Sequence, residues 1–212
     1  MATISQLTIV PEKGDSSRRN LHPPASKSGR DETCRTDDDS LAAIVTARLN
    51  GDAAAQQRLY DECHHRIFRL AARIVGLQDA PDVTQQTFLQ AFRSIDQFSG
   101  GARFATWLYR LAVNESLQHL RRNRGRRYRT LDWEPMDESR DEENAEQKEL
   151  LTQAIARIDP ELRVILLLRE VEGLSYKDIA EALQIPEGTV GSRLNRARRE
   201  LRQHLLSLGF DP

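Results

Sequence analysis

Cysteine is nearly absent. Cys34 and Cys63 are the only two in 212 residues, which excludes a disulfide framework and a Cys-rich zinc module. No apolar run approaches the roughly 18–20 residues a helix needs to cross a bilayer, so no membrane insertion is expected. Met1 to Lys13 lacks a basic start followed by a long apolar stretch and does not read as a secretion signal. GxSxG, P-loop and HExxH patterns are missing, and with no acid/base constellation an enzyme is not expected. Cys63, His64 and His65 do not make a metal site: adjacent helical residues point about 100° apart, and no second ligand pair stands at a useful spacing. Neither a metal nor a cofactor is expected. What is left is a soluble, cytoplasmic protein, 39% hydrophobic and 30% charged. That supports compact helical cores but is too polar for a chain folded throughout.

A net charge of one sign is also lacking: 31 Lys+Arg face 32 Asp+Glu. Read locally, the charges separate. Arg121, Arg122, Arg124, Arg126, Arg127 and Arg129 stand together with no acid among them. Between Asp132 and Glu149 acids outnumber bases heavily, and Arg193, Arg196, Arg198, Arg199 and Arg202 form a second basic group. Two arginine-rich segments around an acidic connector suggest two modules touching a polyanion. Solvated faces are the competing reading.

The periodicity is helical throughout, so the fold class is all-α: two small helical domains joined by a flexible linker. Residues 1–38 are rich in Ser, Pro, Gly, Asp and Arg and read as a disordered extension. Asp39 and Ser40 are candidate caps for a helix with Leu41, Ile44, Val45 and Leu49. Leu59, Cys63, Ile67, Leu70 and Ile74 form a helical stripe closed by Gly76. Asp79, Pro81 and Asp82 suit the next helix start, and Thr84, Phe88, Ala91, Phe92 and Ile95 lie on that helix. Ser99, Gly100 and Gly101 form a loop before a helix with Phe104, Trp107, Leu108, Leu111 and Ala112. These helices make a domain over 39–122, followed by a charged linker over 123–148.

The second domain, 149–209, begins with Leu150, Leu151, Ala154, Ile155 and Ile158, ended by Asp159-Pro160. Leu162 to Val171 is apolar nearly all round and should be its central helix, ended by Gly173. Ser175 and Asp178 resemble a capping box on a short helix with Ile179, Ala180 and Leu183. Gln184-Ile185-Pro186 makes a tight turn, and Pro186 suits a first helical turn. Val190, Leu194, Ala197, Leu201 and Leu205 then recur at helical spacing. Opposite that stripe lie Gly188, Ser192, Asn195, Arg196, Arg199 and Arg202, with Arg193 at the flank. A helix with an apolar back and a Ser/Asn/Arg front suits the major groove, where Arg forks onto guanine and Asn pairs with adenine.

Residues 158–201, IDPELRVILLLREVEGLSYKDIAEALQIPEGTVGSRLNRARREL, closely resemble the promoter-reading C-terminal domain of bacterial sigma factors of the extracytoplasmic-function (ECF) group. DAPDVTQQTFLQAF (79–92) resembles the polymerase-binding segment of that family, and RFATWLYRLAVNESLQHLRR (103–122) its promoter-melting segment. The resemblance spans roughly residues 40–208, with both modules in family order.

The resemblance implies a dissociable specificity subunit that binds core RNA polymerase, directs it to promoters and assists strand opening. Reading of the minus-thirty-five element falls to Ser192, Arg193, Asn195, Arg196 and Arg199, with Thr189 near the phosphates. The minus-ten element falls to Arg103, Phe104, Trp107, Tyr109, Arg110, Arg121 and Arg122, and Ser99 to Phe104 lies where an unstacked base is captured. Tyr109 is off the main stripe and is expected to face outward; core packing competes as the reading of Phe104 and Trp107. Asp82, Gln85, Gln86, Phe88 and Leu89 form the implied polymerase face, with core packing the alternative for Phe88. The acidic residues 132–149 are a candidate mimic of nucleic acid in the polymerase channel. The partners implied are core RNA polymerase and promoter DNA, with an anti-sigma factor as a further candidate.

Two positions depart from the family pattern. Gly191 stands where relatives often carry a basic residue. Gln184 takes a turn position where relatives often have glycine, and it is strained if the turn needs positive φ. The alternatives are a free-standing helix-turn-helix regulator binding operator DNA and an all-helical adaptor for proteins alone. The adaptor leaves the Arg/Asn/Ser face unexplained.

Overall fold

The computed structural model describes residues 41–50, 52–98, 100, 103–123 and 142–210. The expected N-terminal extension, the candidate caps Asp39 and Ser40, Ser99, Gly101 and the charged stretch 124–141 lie outside the described residues. Among those described, every regular element is helical. The first bundle holds α1 (41–49), α2 (Ala53–Val75), α3 (Ala80–Ser94), a single 3₁₀ turn (Ile95–Gln97) and α4 (Phe104–Arg122). The second holds α5 (Glu142–Arg157), α6 (Pro160–Glu170), α7 (Tyr176–Leu183) and α8 (Glu187–Ser207).

Local chemistry sets the boundaries. The Asp52 carboxylate accepts the Ala54 N–H at 2.9 Å to cap α2, and Arg58 lies 2.6 Å from its second oxygen. That backbone bond, seconded by Arg58, holds the carboxyl below its ordinary value against an opposing desolvation. Gly76, at φ 94, terminates the helix where a side chain would be strained. The α2 stripe Leu59, Cys63, Ile67, Leu70 and Ile74 is buried throughout, and burial pushes the Cys63 thiol up to about 12. Asp79 starts α3 without a side-chain cap; its carboxylate instead meets His119 Nε2 at 3.0 Å, tying the head of α3 to the tail of α4.

The second bundle is built around α6. Asp159 caps it through the Glu161 N–H at 3.0 Å, Pro160 occupies the first turn, and Leu162 through Leu168 are all buried. Six apolar side chains in that run contribute roughly 1.5–3 kcal/mol each on full burial. Ser175 and Asp178 form both bonds of the capping box on α7. Gln184 follows at φ 54, ψ 44, so the turn does require the left-handed conformation. Pro186 stands just outside α8 as its N-cap rather than within its first turn. The second set of helices begins at Glu142, seven residues before the first apolar stripe near Glu149. Glu, Gln, Ala and Lys are strong helix formers that need no buried face to extend a helix.

The bundles pack against one another, α4 on α7 and α2 on α6, and their buried side chains form one apolar cluster. Arg163, only 2% exposed, crosses the boundary from α6 and donates to the Ile74 carbonyl at the end of α2 at 2.9 Å. The same guanidinium donates to the carbonyls of Ala156 and Ile158.

Candidate nucleic-acid interface

α8 presents two faces of opposite chemistry. Val190, Leu194, Ala197, Leu201 and Leu205 are buried against α5, α6 and α7. Ser192, Asn195, Arg196 and Arg199 are exposed on the other side, with Gly188 and Arg202 beside them, while Thr189 and Arg193 are half-buried at its edge. The apolar stripe therefore fixes the rotation of the helix, and that rotation sets which polar groups face solvent. Ser192 Oγ donates to the Thr189 carbonyl at 2.9 Å, leaving its lone pairs outward. Arg196 Nε pairs with Glu200 at 3.1 Å, an exposed i,i+4 contact of small energy. Arg198 points elsewhere: it grips Glu170 through Nε at 3.1 Å and its terminal nitrogen at 2.6 Å, locking α8 to α6.

The Tyr176 ring covers the position that Gly191 leaves open. A Cβ at Gly191 would meet Tyr176 Cε2 at 3.6 Å, ordinary contact distance. The Arg169 guanidinium lies 5.4 Å from the centroid of that ring.

On α4 the expected residues divide. Arg103, Arg121 and Arg122 are exposed, and Arg110 and Trp107 are half-buried. Phe104 is buried, packed edge-on to Phe98 at a centroid distance of 5.4 Å, with Trp107 5.3 Å from Phe104. Core packing thus accounts for Phe104. Tyr109 corrects the outward expectation: it is 3% exposed, its hydroxyl donating to Glu172 of the second bundle. Off-stripe placement on α4 meant exposure only as long as nothing packed there, and α7 does.

Along α3, Asp82, Gln85, Gln86 and Leu89 are exposed and form one polar surface around an apolar anchor. Phe88 does not belong to that surface. It is buried, 4.8 Å from the Tyr60 ring and 5.8 Å from Phe92. Among the described residues no cluster of His, Cys, Asp and Glu could hold a metal, and no helix is long and apolar enough to cross a membrane.

Residues 59–126 match the family model described as Sigma-70 region 2, and residues 148–201 match Sigma-70, region 4. The chain is 36% identical over 181 residues to the ECF RNA polymerase sigma-E factor of Haemophilus influenzae, spanning 78% of this chain and 95% of that relative. This chain is an ECF sigma factor. The RNA polymerase sigma-H factor of Pseudomonas aeruginosa is 38% identical over 78% of this sigma factor and 93% of its own length. Two solved structures share the fold. One is the sigma factor RpoE from Bartonella quintana in complex with the anti-sigma factor NepR, at TM-score 0.61, 22% identity and coverage of 70% of this chain and 95% of that one. The other is CnrH in complex with the cytosolic domain of CnrY, at TM-score 0.59, 21% identity and coverage of 81% and 97%. A region 2 match ahead of the helix-turn-helix separates this sigma factor from a free-standing operator-binding regulator.

Proposed function

We propose that this sigma factor docks on core RNA polymerase, positions it at promoters through α8 and helps open the duplex through α4. The observation that carries the reading is the two-faced α8, whose buried stripe holds Ser192, Asn195, Arg196 and Arg199 outward as one groove-sized surface. Asn195, Arg196 and Arg199 take the minus-thirty-five bases, while Thr189, Ser192 and Arg193 hold phosphates and the register. Arg103, Trp107, Arg110, Arg121 and Arg122 serve the minus-ten strand by stacking and charge. Asp82, Gln85, Gln86 and Leu89 dock on the polymerase, with Phe88 bracing that helix from within. The chain performs no covalent chemistry of its own. It works in the cytoplasm beside the polymerase, with an anti-sigma factor as a further partner.

The test mixes the purified protein with core polymerase and a promoter library and reads transcripts. Specific initiation that depends on the added protein is expected. Tight duplex binding without transcripts would identify a regulator instead, and neither activity would identify a protein-only adaptor.

A further inference from the structure

Arg196, Arg198, Arg199 and Arg202 of α8 are held in three different ways. Arg198 engages Glu170 through both Nε and a terminal nitrogen, so its fork is occupied and it ties α8 to α6. Arg199 and Arg202 are exposed and have no ion pair among the described residues. Arg196 is the intermediate case. Only its Nε is engaged, by Glu200 Oε1 at 3.1 Å. Its side chain is 64% exposed, and neither terminal nitrogen has a partner among the described residues. Those two nitrogens form the end of the fork, the edge that can pair with O6 and N7 of guanine.

Glu200 is itself fixed from the far side. Its second oxygen, Oε2, accepts the Asp159 N–H at 3.4 Å at the head of α6, and its side chain is only 24% exposed. A carboxylate at that place is favoured by the positive end of the α6 dipole. One oxygen is therefore tied to α6 and the other to Arg196. An unheld arginine keeps several rotamers and is drawn to any phosphate, whatever the sequence. Paired with a carboxylate, the same group is nearly neutral toward the DNA backbone yet keeps two donors for a base. In the free protein, attraction and ordering nearly cancel, so the pair adds little stability. On DNA the ordering is already in place, and immobilising such a side chain otherwise weakens binding about twofold to tenfold.

We propose that Glu200 is a positioning residue for promoter reading. It holds Arg196 by Nε so that the end of the fork faces the base edges, and its charge keeps that arginine from settling on a phosphate. The proposal rests on the function above, in which Arg196 reads a minus-thirty-five base.

The test uses holoenzyme assembled from core polymerase and the full chain, bound to a promoter recovered from the library. Competitors are the same fragment with single minus-thirty-five substitutions and a duplex without a promoter. Glu200→Ala should lower the ratio of matched to mismatched binding about twofold to tenfold. On the duplex without a promoter it should bind more tightly at low salt, with a log–log salt slope steeper by about one, because Arg196 is freed to neutralise a phosphate. Glu200→Gln keeps an acceptor for Nε and loses the charge. It should restore most of the matched-to-mismatched ratio while sharing the steeper slope. In an Arg196→Ala background, Glu200→Ala should change neither quantity. An unchanged ratio in Glu200→Ala, or an equal loss with and without Arg196, would overturn the proposal. A uniform fall in binding to every duplex, in step with a lower melting temperature, would also overturn it and mark a purely structural carboxylate. Lost discrimination in Arg196→Ala but not in Glu200→Ala would overturn the positioning role alone. No promoter preference in the wild-type holoenzyme would overturn the function proposed above and the positioning role with it.

Discussion

Replacing Gln184 with glycine should make the protein more stable. Gln184 sits at φ 54, ψ 44, the one described non-glycine residue at positive φ. Its N–H closes α7 on the Ala180 and Glu181 carbonyls, and its side chain is exposed. A side chain in that conformation costs about 1–2 kcal/mol through the clash of Cβ with backbone. Glycine removes the clash but loosens the unfolded chain, returning about 0.4–1 kcal/mol. The net gain expected for Gln184→Gly is about 0.5–1 kcal/mol. With a urea slope near 2 kcal/mol per molar, the midpoint rises by about 0.25–0.5 M at unchanged slope. Gln184→Val, β-branched in the same place, should lower it. Far-UV circular dichroism during urea unfolding reads both. An unchanged or lowered midpoint for Gln184→Gly, or wild-type stability for Gln184→Val, would refute the claim that the turn is strained. Because the glycine keeps the turn's geometry, promoter binding should be retained.

Arg196→Ala should barely move the melting temperature, since its exposed pair with Glu200 is worth only about 0.2–0.5 kcal/mol. It should cost about 1–3 kcal/mol of discrimination between matched and mismatched minus-thirty-five sites, measured by competition binding of the holoenzyme. Leu194→Ala opens a cavity at a fully buried position and should cost about 2–5 kcal/mol of unfolding free energy. In a Cys34→Ser background, Cys63 should resist a thiol reagent at pH 8 and react at once in urea, because the folded thiol titrates at about 12. The unfolded thiol ionises from about pH 9, so stability should fall as pH rises from about 9 to 12, by up to roughly 1.4 kcal/mol per unit. Cys63→Ala should flatten that slope in pH-dependent melts.

The parts of the fold with an apolar face were legible in the sequence. The α2 and α8 stripes, the apolar α6 and the Ser175–Asp178 capping box all occur where the spacing put them, because a half-buried helix writes its orientation as a 3.6-residue period. The early start of α5 was not legible, since a solvated helix carries no such period. Contacts between the bundles were also hidden: Tyr109 meets Glu172 across 63 residues, and Arg163 meets Ile74 across 89. One clue existed. Arg163, inside the apolar run LRVILLL, has to find carbonyl or carboxylate partners once buried. Burial of Phe88 and Tyr109 shows the same limit: an aromatic beside polar neighbours suits a docking surface and a packed seam equally well until the seam is seen.

Two bundles gripping separate stretches of one promoter, and only on the polymerase, is the claim on which the rest depends. Hydroxyl-radical footprinting, read beside permanganate reactivity at unpaired thymines, tests it directly. With core polymerase present, the account predicts protection in two patches about 25 base pairs apart, and thymine reactivity confined to the downstream one. Arg196→Ala should weaken the upstream patch, and Trp107→Ala should remove the downstream reactivity. A single continuous patch bound by the protein alone, unchanged when polymerase is added, would contradict it.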